Sequence, residues 1–325
     1  MRLLITEFIT GGGMANHPIP EGLKQEGLLM LNSVLADCEL LQDVEIVTTI
    51  DSRVTLETDS IKKIVIQGHD DYLRKITKLA NQCDATWVIA PESDNILQIF
   101  IENLMNNSNK IINCDDESIR ITSDKYVCTK LLSDHGISVI ENLSASQATH
   151  YSQMTIIKNR CGVGSEGLTI CQSGSEAQTE IANRAGDWLI QPLVEGDSLS
   201  LSMLCANGSA VVLTCNKQNF TNSKEPKLKS CLVNAMPVTQ DHIKLAHSIT
   251  NVLPGLKGYV GVDFINCNGD LKIVDINPRL TTSYVGLKNV LRENPAKLCI
   301  DASLYSTLPD DLERNATVSE VVIGK

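Results

Sequence analysis

Apolar and polar residues follow one pattern in the first third of this 325-residue chain and another in the rest. In residues 1–115, short apolar runs such as Leu3–Ile9 and Ala85–Ala90 alternate with segments of helical spacing such as Glu21–Cys38. Repeated strand–helix alternation is typical of a parallel sheet covered by helices. The pattern predicts a doubly wound α/β unit that ends with the strand Lys110–Cys114.

The composition turns acidic after Cys114, and a second pattern begins there. One helix is predicted over Ser118–His135, and a later helix over Thr239–Val252. Between them, several apolar runs are separated by short Gly- and Asn-containing turns, as at Ala206–Ser209. Hairpins of this kind indicate an α+β unit built on antiparallel strands.

The segment Gly258–Tyr284 carries the clearest chemical signal. Its Asn268-Gly269 pair predicts a hairpin turn, with Asp263 before it and Asp275 and Asn277 after it. Side chains alternate along a strand, so the last two share a face, and pairing around the turn brings Asp263 opposite Asp275. Two adjacent carboxylates need a neutralising cation, and oxygen ligands suit Mg²⁺ or Mn²⁺ rather than zinc.

A simpler interpretation of this hairpin is an edge element with solvated acids. The neighbouring residues argue against it. Val274 and Ile276 alternate with the polar positions and give the strand one apolar face. Arg279 follows directly, and a guanidinium beside a cation site is suited to binding phosphate.

A second signal lies around Lys158, which ends a predicted strand. The following loop contains Gly162, Gly164 and Gly167. Glycines allow backbone amides to approach a polyphosphate, and the lysine supplies positive charge. Taken alone, the loop is also compatible with a flexible hairpin tip, and Lys125 with a solvated helix lysine.

Composition limits the partners and the location. A net charge of −11 argues against a nucleic acid or an anionic membrane as partner, and no apolar run is long enough to span a membrane. The eleven cysteines include no Cys-x-x-Cys pair and lie in apolar surroundings. This usage predicts reduced, buried thiols in the cytoplasm.

Together, these segments resemble the ATP-grasp superfamily from about Asp115 to Leu287, and the α/β unit before them resembles the preATP-grasp domain. The resemblance implies a doubly wound parallel sheet followed by the two-subdomain ATP-grasp fold. The expected domains are residues 1–115, residues 116–190 with the glycine-rich lid, and residues 191–325 with the metal site.

The resemblance also implies the roles of the site residues. Lys125 and Lys158 would contact ATP phosphates, Lys217 would lie near them, and the segment Gln191, Pro192, Leu193 would lie along adenine. Asp197 or Glu195 would hold the ribose, although the family usually has Glu at the positions of Gln191 and Ser198. Asp263, Asp275 and Asn277 would bind two Mg²⁺ ions, and Arg279 would face the transferred phosphoryl group.

A narrower resemblance is carried by Thr6–Gly13, Ala90–Glu92 and Asn277–Tyr284. These segments are similar to ATP-grasp enzymes of methanofuran-type cofactor synthesis. The resemblance implies a ligase that activates glutamate as an acyl phosphate and joins it to tyramine or tyrosine. The substrates would be a small carboxylate and a small amine, bound by the loop residues Glu7, Gly12, Glu92 and Tyr284, and the resemblance is compatible with a homodimer.

Three alternatives stay open on the sequence. The chain is compatible with a different ATP-grasp amino-acid or dipeptide ligase. A nucleotide-binding regulatory protein without turnover is a second reading, which the complete set of lysines and acids disfavours. Gly11-Gly12-Gly13 suggests a dinucleotide-dependent oxidoreductase only weakly, because it does not form Gly-x-Gly-x-x-Gly.

Overall fold

The computed structural model describes residues 1–56, 58, 60–68, 70–107, 109–164 and 167–323. Its N-terminal unit is the predicted parallel sheet, with four strands in the order β3-β2-β1-β4. The elements are β1 (Arg2–Glu7), α1 (Glu21–Glu39), β2 (Glu45–Asp51), β3 (Lys62–Ile66), α2 (Tyr72–Ala80), β4 (Ala85–Ile89) and α3 (Ile96–Asn106).

The predicted strand Lys110–Cys114 is wrong. This segment meets β4 through a single parallel bridge between Thr86 and Ile111. Beyond the bridge, the Asn113 side chain forms hydrogen bonds with both backbone groups of Val88. It accepts from the N–H at 3.0 Å and donates to the carbonyl at 2.8 Å. A side chain therefore replaces the ladder that a fifth strand would have formed.

The predicted helix over Ser118–His135 is two helices, α4 (Asp116–Ser123) and α5 (Lys125–Asp134). They are separated by Asp124, whose backbone is extended. Its carboxylate accepts the amides of Tyr126 and Val127 and pairs with Arg160 at 2.7 Å. An aspartate in this role stabilises a helix start, so Lys125 becomes the first residue of α5.

The second half contains two antiparallel sheets. The smaller has the order β6-β5-β7 and includes the predicted domain boundary at residue 190, which falls within β7. Its elements, with two packed helices, are α6 (Ala145–His150), β5 (Thr155–Asn159), β6 (Thr169–Cys171), α7 (Gly174–Ala182) and β7 (Trp188–Pro192).

The larger sheet has six strands in the order β12-β11-β8-β9-β10-β13. The register of β11 and β12 places Asp263 opposite Asp275, as predicted, with a bulge directly after Asp263. The elements are β8 (Asp197–Ala206), β9 (Ser209–Phe220), β10 (Leu228–Met236), α8 (Gln240–Val252), β11 (Gly258–Cys267), β12 (Asp270–Asn277), α9 (Tyr284–Val290), α10 (Pro295–Tyr305) and β13 (Ser319–Val322).

One apolar core joins the N-terminal sheet to the C-terminal helices. Leu3 of β1 and Trp87 of β4 share it with Tyr284 of α9 and Leu298 of α10. The Trp87 and Tyr284 rings meet edge to face, 6.3 Å apart. This packing holds the carboxyl ends of β1 and β4 beside the end of β12. Within the described ranges, no helix is long and apolar enough to cross a membrane.

Candidate active site

The hairpin acids form a hydrogen-bonded cluster at the edge of the large sheet. Asn277 donates to Asp263 Oδ2 at 3.1 Å, and Gln218 of β9 donates to Asp263 Oδ1 at 2.9 Å. Asp275 lies opposite on the paired strand. Burial, with the nearby charge of Asp275, raises the pKa of Asp263 to about 6. The carboxylates of Asp263 and Asp275 therefore repel each other, and a bound cation would reduce this repulsion.

The donor chemistry of this cluster suits a divalent ion that is shared with phosphates. Two carboxylates and one amide oxygen are available, and Mg²⁺ commonly takes one or two carboxylates together with substrate phosphate oxygens and water. Among the described residues, no group of three or more His, Cys, Asp and Glu side chains could enclose a metal by itself. The residues therefore fit a metal held jointly with a nucleotide.

Two buried lysines face the acids. Lys125 Nζ pairs with Asp275 Oδ2 at 2.8 Å and donates to the Gly162 carbonyl at 2.8 Å. Burial lowers the pKa of Lys125, but Asp275, Glu92 and Asp263 outweigh this effect and the pKa is raised.

Lys158 is in a different electrostatic position. Its Nζ donates to the Val274 carbonyl at 3.2 Å. Burial lowers its pKa to about 8, and Lys125 adds to the decrease, while Asp275 offsets only part of it. Among the described residues, no carboxylate is in hydrogen-bond contact with Lys158, and an incoming anion would stabilise its charge.

The glycine-rich loop covers one side of this cluster. Gly162 and Gly164 line the cavity, and Gly164 and Gly167 have φ values of +58° and +72°. Positive φ is easily adopted by glycine and disfavoured for larger residues. Ser165 and Glu166, which belong to the predicted lid, lie outside the described residues.

The cluster opens into a cavity of about 380 Å³ between the two antiparallel sheets, within the range typical of small-molecule sites. Its polar end contains Lys125, Lys158, Asp263, Asp275 and Asn277. Its other walls are largely apolar and are formed mainly by Ile140, Ile156, Leu168, Ile170, Pro192, Leu193, Val194, Phe220, Leu228, Phe264 and Ile265.

The cavity is lined by a segment at the end of β7, comprising Gln191, Pro192, Leu193 and Val194. Gln191 is buried, and its side-chain amide donates to the Ile140 carbonyl at 2.6 Å. The Leu193 N–H is already bonded to the Met154 carbonyl at 2.9 Å. Leu193 therefore offers the cavity its side chain, while its amide holds the segment against β5.

Asp197 and Lys217 are placed differently from the other predicted nucleotide-binding residues. They pair with each other at 3.1 Å, both well exposed, and neither is among the residues that line the cavity. Their neighbours Ser198 and Gln218 line it instead, and are themselves hydrogen-bonded at 3.1 Å. Alternation along β8 and β9 turns the predicted residues away from the cavity.

Arg279 lies beyond the metal cluster and connects the large sheet to the N-terminal unit. Its Nε pairs with Glu92 Oε2 at 2.8 Å, and both side chains are nearly buried. Its Nη1 donates to the Leu280 carbonyl. Burial lowers the pKa of Arg279, but Glu92, together with Glu26 and Asp275, outweighs this effect and the pKa is raised. Glu92 and Arg279 therefore form an ion pair at the junction, within electrostatic reach of residues that line the cavity.

The other predicted substrate residues, Glu7, Gly12 and Tyr284, are buried, and the Glu7 and Tyr284 side chains form hydrogen bonds within the protein. Glu7 accepts hydrogen bonds from the Ile9 amide and from the amide and hydroxyl of Thr10. Gly12 lies in the irregular helical turn Ile9–Gly13 with a φ of +110°. Tyr284 is 1% exposed, and its hydroxyl donates to Asp37 at 3.0 Å. The structure thus places Tyr284 in the core rather than on the cavity.

Sequence comparison identifies the two parts of this arrangement. Residues 44–119 match the pre-ATP-grasp 3 domain, and residues 122–283 match the ATP-grasp domain. The chain belongs to the ATP-grasp superfamily. It is an ADP-forming carboxylate–amine ligase of that superfamily.

Known relatives and structures agree with this membership. A tyramine–L-glutamate ligase of Methanocaldococcus fervens is 26% identical over 88% of this chain and 89% of the relative. An ATP-grasp superfamily protein from Archaeoglobus fulgidus superimposes with a TM-score of 0.72 at 20% identity, over 97% of this chain and 91% of that one. The biotin carboxylase domain of Hydrogenobacter thermophilus 2-oxoglutarate carboxylase, solved with MgADP and bicarbonate, has a TM-score of 0.76 at 13% identity. That alignment covers 98% of this chain and 73% of the other.

Gln218 and the apolar wall other than Pro192 and Leu193 are the parts of this ATP-grasp cavity that the sequence did not reveal. The strand β9 continues three residues past Lys217, to Phe220. Extending the strand by three residues puts Gln218 and Phe220 on one face and Lys217 on the other. The apolar residues at 217–220 were too few to reveal this continuation, because only Phe220 is hydrophobic.

Proposed function

We propose that this ATP-grasp ligase uses ATP and Mg²⁺ to activate glutamate as an acyl phosphate and joins it to tyramine, in a methanofuran-type cofactor pathway. The observation that carries the ATP-dependent step is the convergence of Lys125, Lys158, Asp263, Asp275 and Asn277 at one end of the cavity. The substrate pair is supported by the relatives at about one-quarter identity and by the Glu92–Arg279 pair, which offers one negative and one positive group.

In this proposal, adenine occupies the apolar part of the cavity and the phosphates extend toward the two lysines. Asp263, Asp275 and Asn277 would hold two Mg²⁺ ions, or Mn²⁺, which accepts the same ligands. The bound ions would supply charge neutralisation at the transferring phosphoryl group. Lys125 would leave Asp275 to contact phosphate when the ions enter.

The reaction would proceed in two steps. A glutamate carboxylate oxygen attacks the γ-phosphorus of ATP, ADP leaves, and an acyl phosphate forms. The ammonium of tyramine releases a proton to solvent, and the neutral amine then attacks the acyl carbon. The C–O bond to phosphate breaks, phosphate leaves, and the nitrogen releases a second proton to solvent as the amide forms. Arg279 would stabilise the negative charge of the acyl phosphate, and the glycine-rich loop would exclude water.

We also propose that the protein is cytoplasmic, where thiols are reduced and ATP is available. The homodimer remains a prediction.

The test is substrate-dependent ADP release by the purified chain with MgATP. Glutamate with tyramine should give ADP and an amide product in equal amounts, detected by mass spectrometry. Asp275→Ala should abolish ADP release while the folded structure, monitored by circular dichroism, is retained. Asp270→Asn is the matched control, because this acid lies on the same hairpin and pairs with Lys272 at the surface.

Two results would contradict parts of the proposal. ADP release with a different carboxylate–amine pair, and none with glutamate and tyramine or tyrosine, would refute the substrates but retain the ligase. Full turnover of Asp275→Ala would refute the metal assignment.

A further inference from the structure

The junction between the N-terminal unit and the large sheet contains a carboxylate with one oxygen that has no partner among the described residues. Glu92 is 6% exposed, and its Oε2 is fixed by Arg279. Its Oε1 is buried and accepts no hydrogen bond from the part of the chain that the structure describes. Buried polar atoms in native proteins are nearly always paired. Glu92 also acts electrostatically on Lys125, which lines the cavity. Its unpaired carboxylate oxygen is therefore a candidate ligand contact.

A second acid gives this junction an excess of negative charge. Glu26 of α1 accepts a hydrogen bond from Thr282 Oγ1 at 2.7 Å, three residues after Arg279. Glu26 is close enough to Arg279 to help raise the pKa of its guanidinium. Three carboxylates, those of Glu26, Glu92 and Asp275, thus act on two cations, Arg279 and Lys125, and leave one negative charge in excess. The missing partner of Glu92 should be a hydrogen-bond donor with positive charge.

Glu7 does not fill this role, although the sequence alone does not distinguish it from Glu92. Both of its oxygens already accept hydrogen bonds, from Ile9 and Thr10. A Cβ added to Gly27 would lie 2.6 Å from Glu7 Oε2, so α1 packs closely against this carboxylate. Glu7 therefore shapes the turn after β1, and Glu92 is left as the acid with an available oxygen.

We propose that Glu92 Oε1, supported by Glu26, binds the primary ammonium group of a substrate next to Arg279. The inference rests on the proposed function, which supplies two sources of such a group: the amine of tyramine and the amino group of glutamate. A primary ammonium has three donors and one positive charge, which satisfies the free oxygen and the excess negative charge together. Arg279 alone would hold only the anionic partner of the reaction.

The decisive variant is Glu92→Gln. Its carbonyl oxygen can still accept from Arg279, and its amide then presents N–H groups where the ammonium would bind. We expect the KM of the substrate that carries the ammonium to rise by about 10- to 100-fold, the range of a charge-assisted hydrogen bond. Glu21→Gln is the matched control, because Glu21 is an exposed acid on the same helix as Glu26 and should leave both KM values unchanged.

Hydroxylamine separates binding of the ammonium from positioning of Arg279. It is uncharged at neutral pH and traps acyl phosphates as hydroxamates. With saturating glutamate, Glu92→Gln should form hydroxamate at the wild-type rate. A raised KM for tyramine alone identifies the amine as the ligand, and a raised KM for glutamate alone identifies its amino group. An equal loss of amide and hydroxamate formation, with both KM values unchanged, would refute the subsite and mean that Glu92 only orients Arg279.

Wild-type protein provides an independent measurement if the variant does not fold. 4-Ethylphenol is tyramine without its amino group, and glutarate is glutamate without its own. For at least one of these analogues, the inhibition constant should be at least 10-fold higher than the dissociation constant of the substrate that it mimics. Equal affinity of both analogues and their parent substrates would show that no ammonium is recognised. Failure of the wild type to release ADP with any carboxylate–amine pair would instead refute the proposed function.

Discussion

The pKa of Lys158 makes nucleotide affinity dependent on pH in a predictable direction. In the free protein, burial lowers this pKa to about 8, so about nine-tenths of the side chain is charged at pH 7 and about one-tenth at pH 9. Phosphate binds the charged form. Affinity for ADP should therefore fall as the pH rises, by about tenfold between pH 7 and 9, which is about 1.4 kcal/mol.

Isothermal calorimetry of ADP binding in EDTA measures this effect in the absence of metal ions that would also bind the phosphates. Lys158→Arg is the control, because a guanidinium stays charged throughout the range. Its ADP affinity should be nearly independent of pH even if its absolute value differs from the wild type. The same slope in Lys158→Arg and in the wild type would refute the reasoning, since another group would then be titrating. A flat wild-type profile would show that this ammonium does not contact the phosphates.

Two further predictions concern the metal cluster. Gln218→Leu removes the hydrogen bond to Asp263 Oδ1 and should raise the Mg²⁺ concentration needed for half-maximal ADP release by about 10-fold or more; an unchanged Mg²⁺ titration would contradict its positioning role. Lys125→Met leaves Asp275 without its 2.8 Å partner and should destabilise the metal-free protein by about 3 kcal/mol. Saturating Mg²⁺ should restore most of the thermal midpoint, measured by differential scanning fluorimetry, and an equal loss in Mg²⁺ and in EDTA would contradict this explanation.

Local patterns were sufficient for much of the fold. The parallel N-terminal sheet and the hairpin register that opposes Asp263 and Asp275 both follow from strand periodicity and turn chemistry. The division of the helix at Asp124 did not follow from the apolar periodicity, which continues across it; the Asp124 carboxylate caps the amides of Tyr126 and Val127 and also pairs with Arg160 from a distant loop. The sequence likewise does not show that the Asn113 side chain pairs with β4 in place of a fifth strand, because this pairing depends on the position of Val88 in the folded protein.

The sequence by itself determined the chemistry that this chain can offer: two acids and an amide on one hairpin, two lysines, and a glycine-rich loop. These residue types and spacings are local, so periodicity and turn residues suffice to group them. Only the tertiary structure decided which side chains share the cavity. Lys217 points away from the cavity and Gln218 lines it, and Tyr284 is buried against Asp37. One oxygen of Glu92 has no partner among the residues that the structure describes. Those outcomes depend on contacts between segments far apart in sequence, where packing and hydrogen bonding select one partner among many.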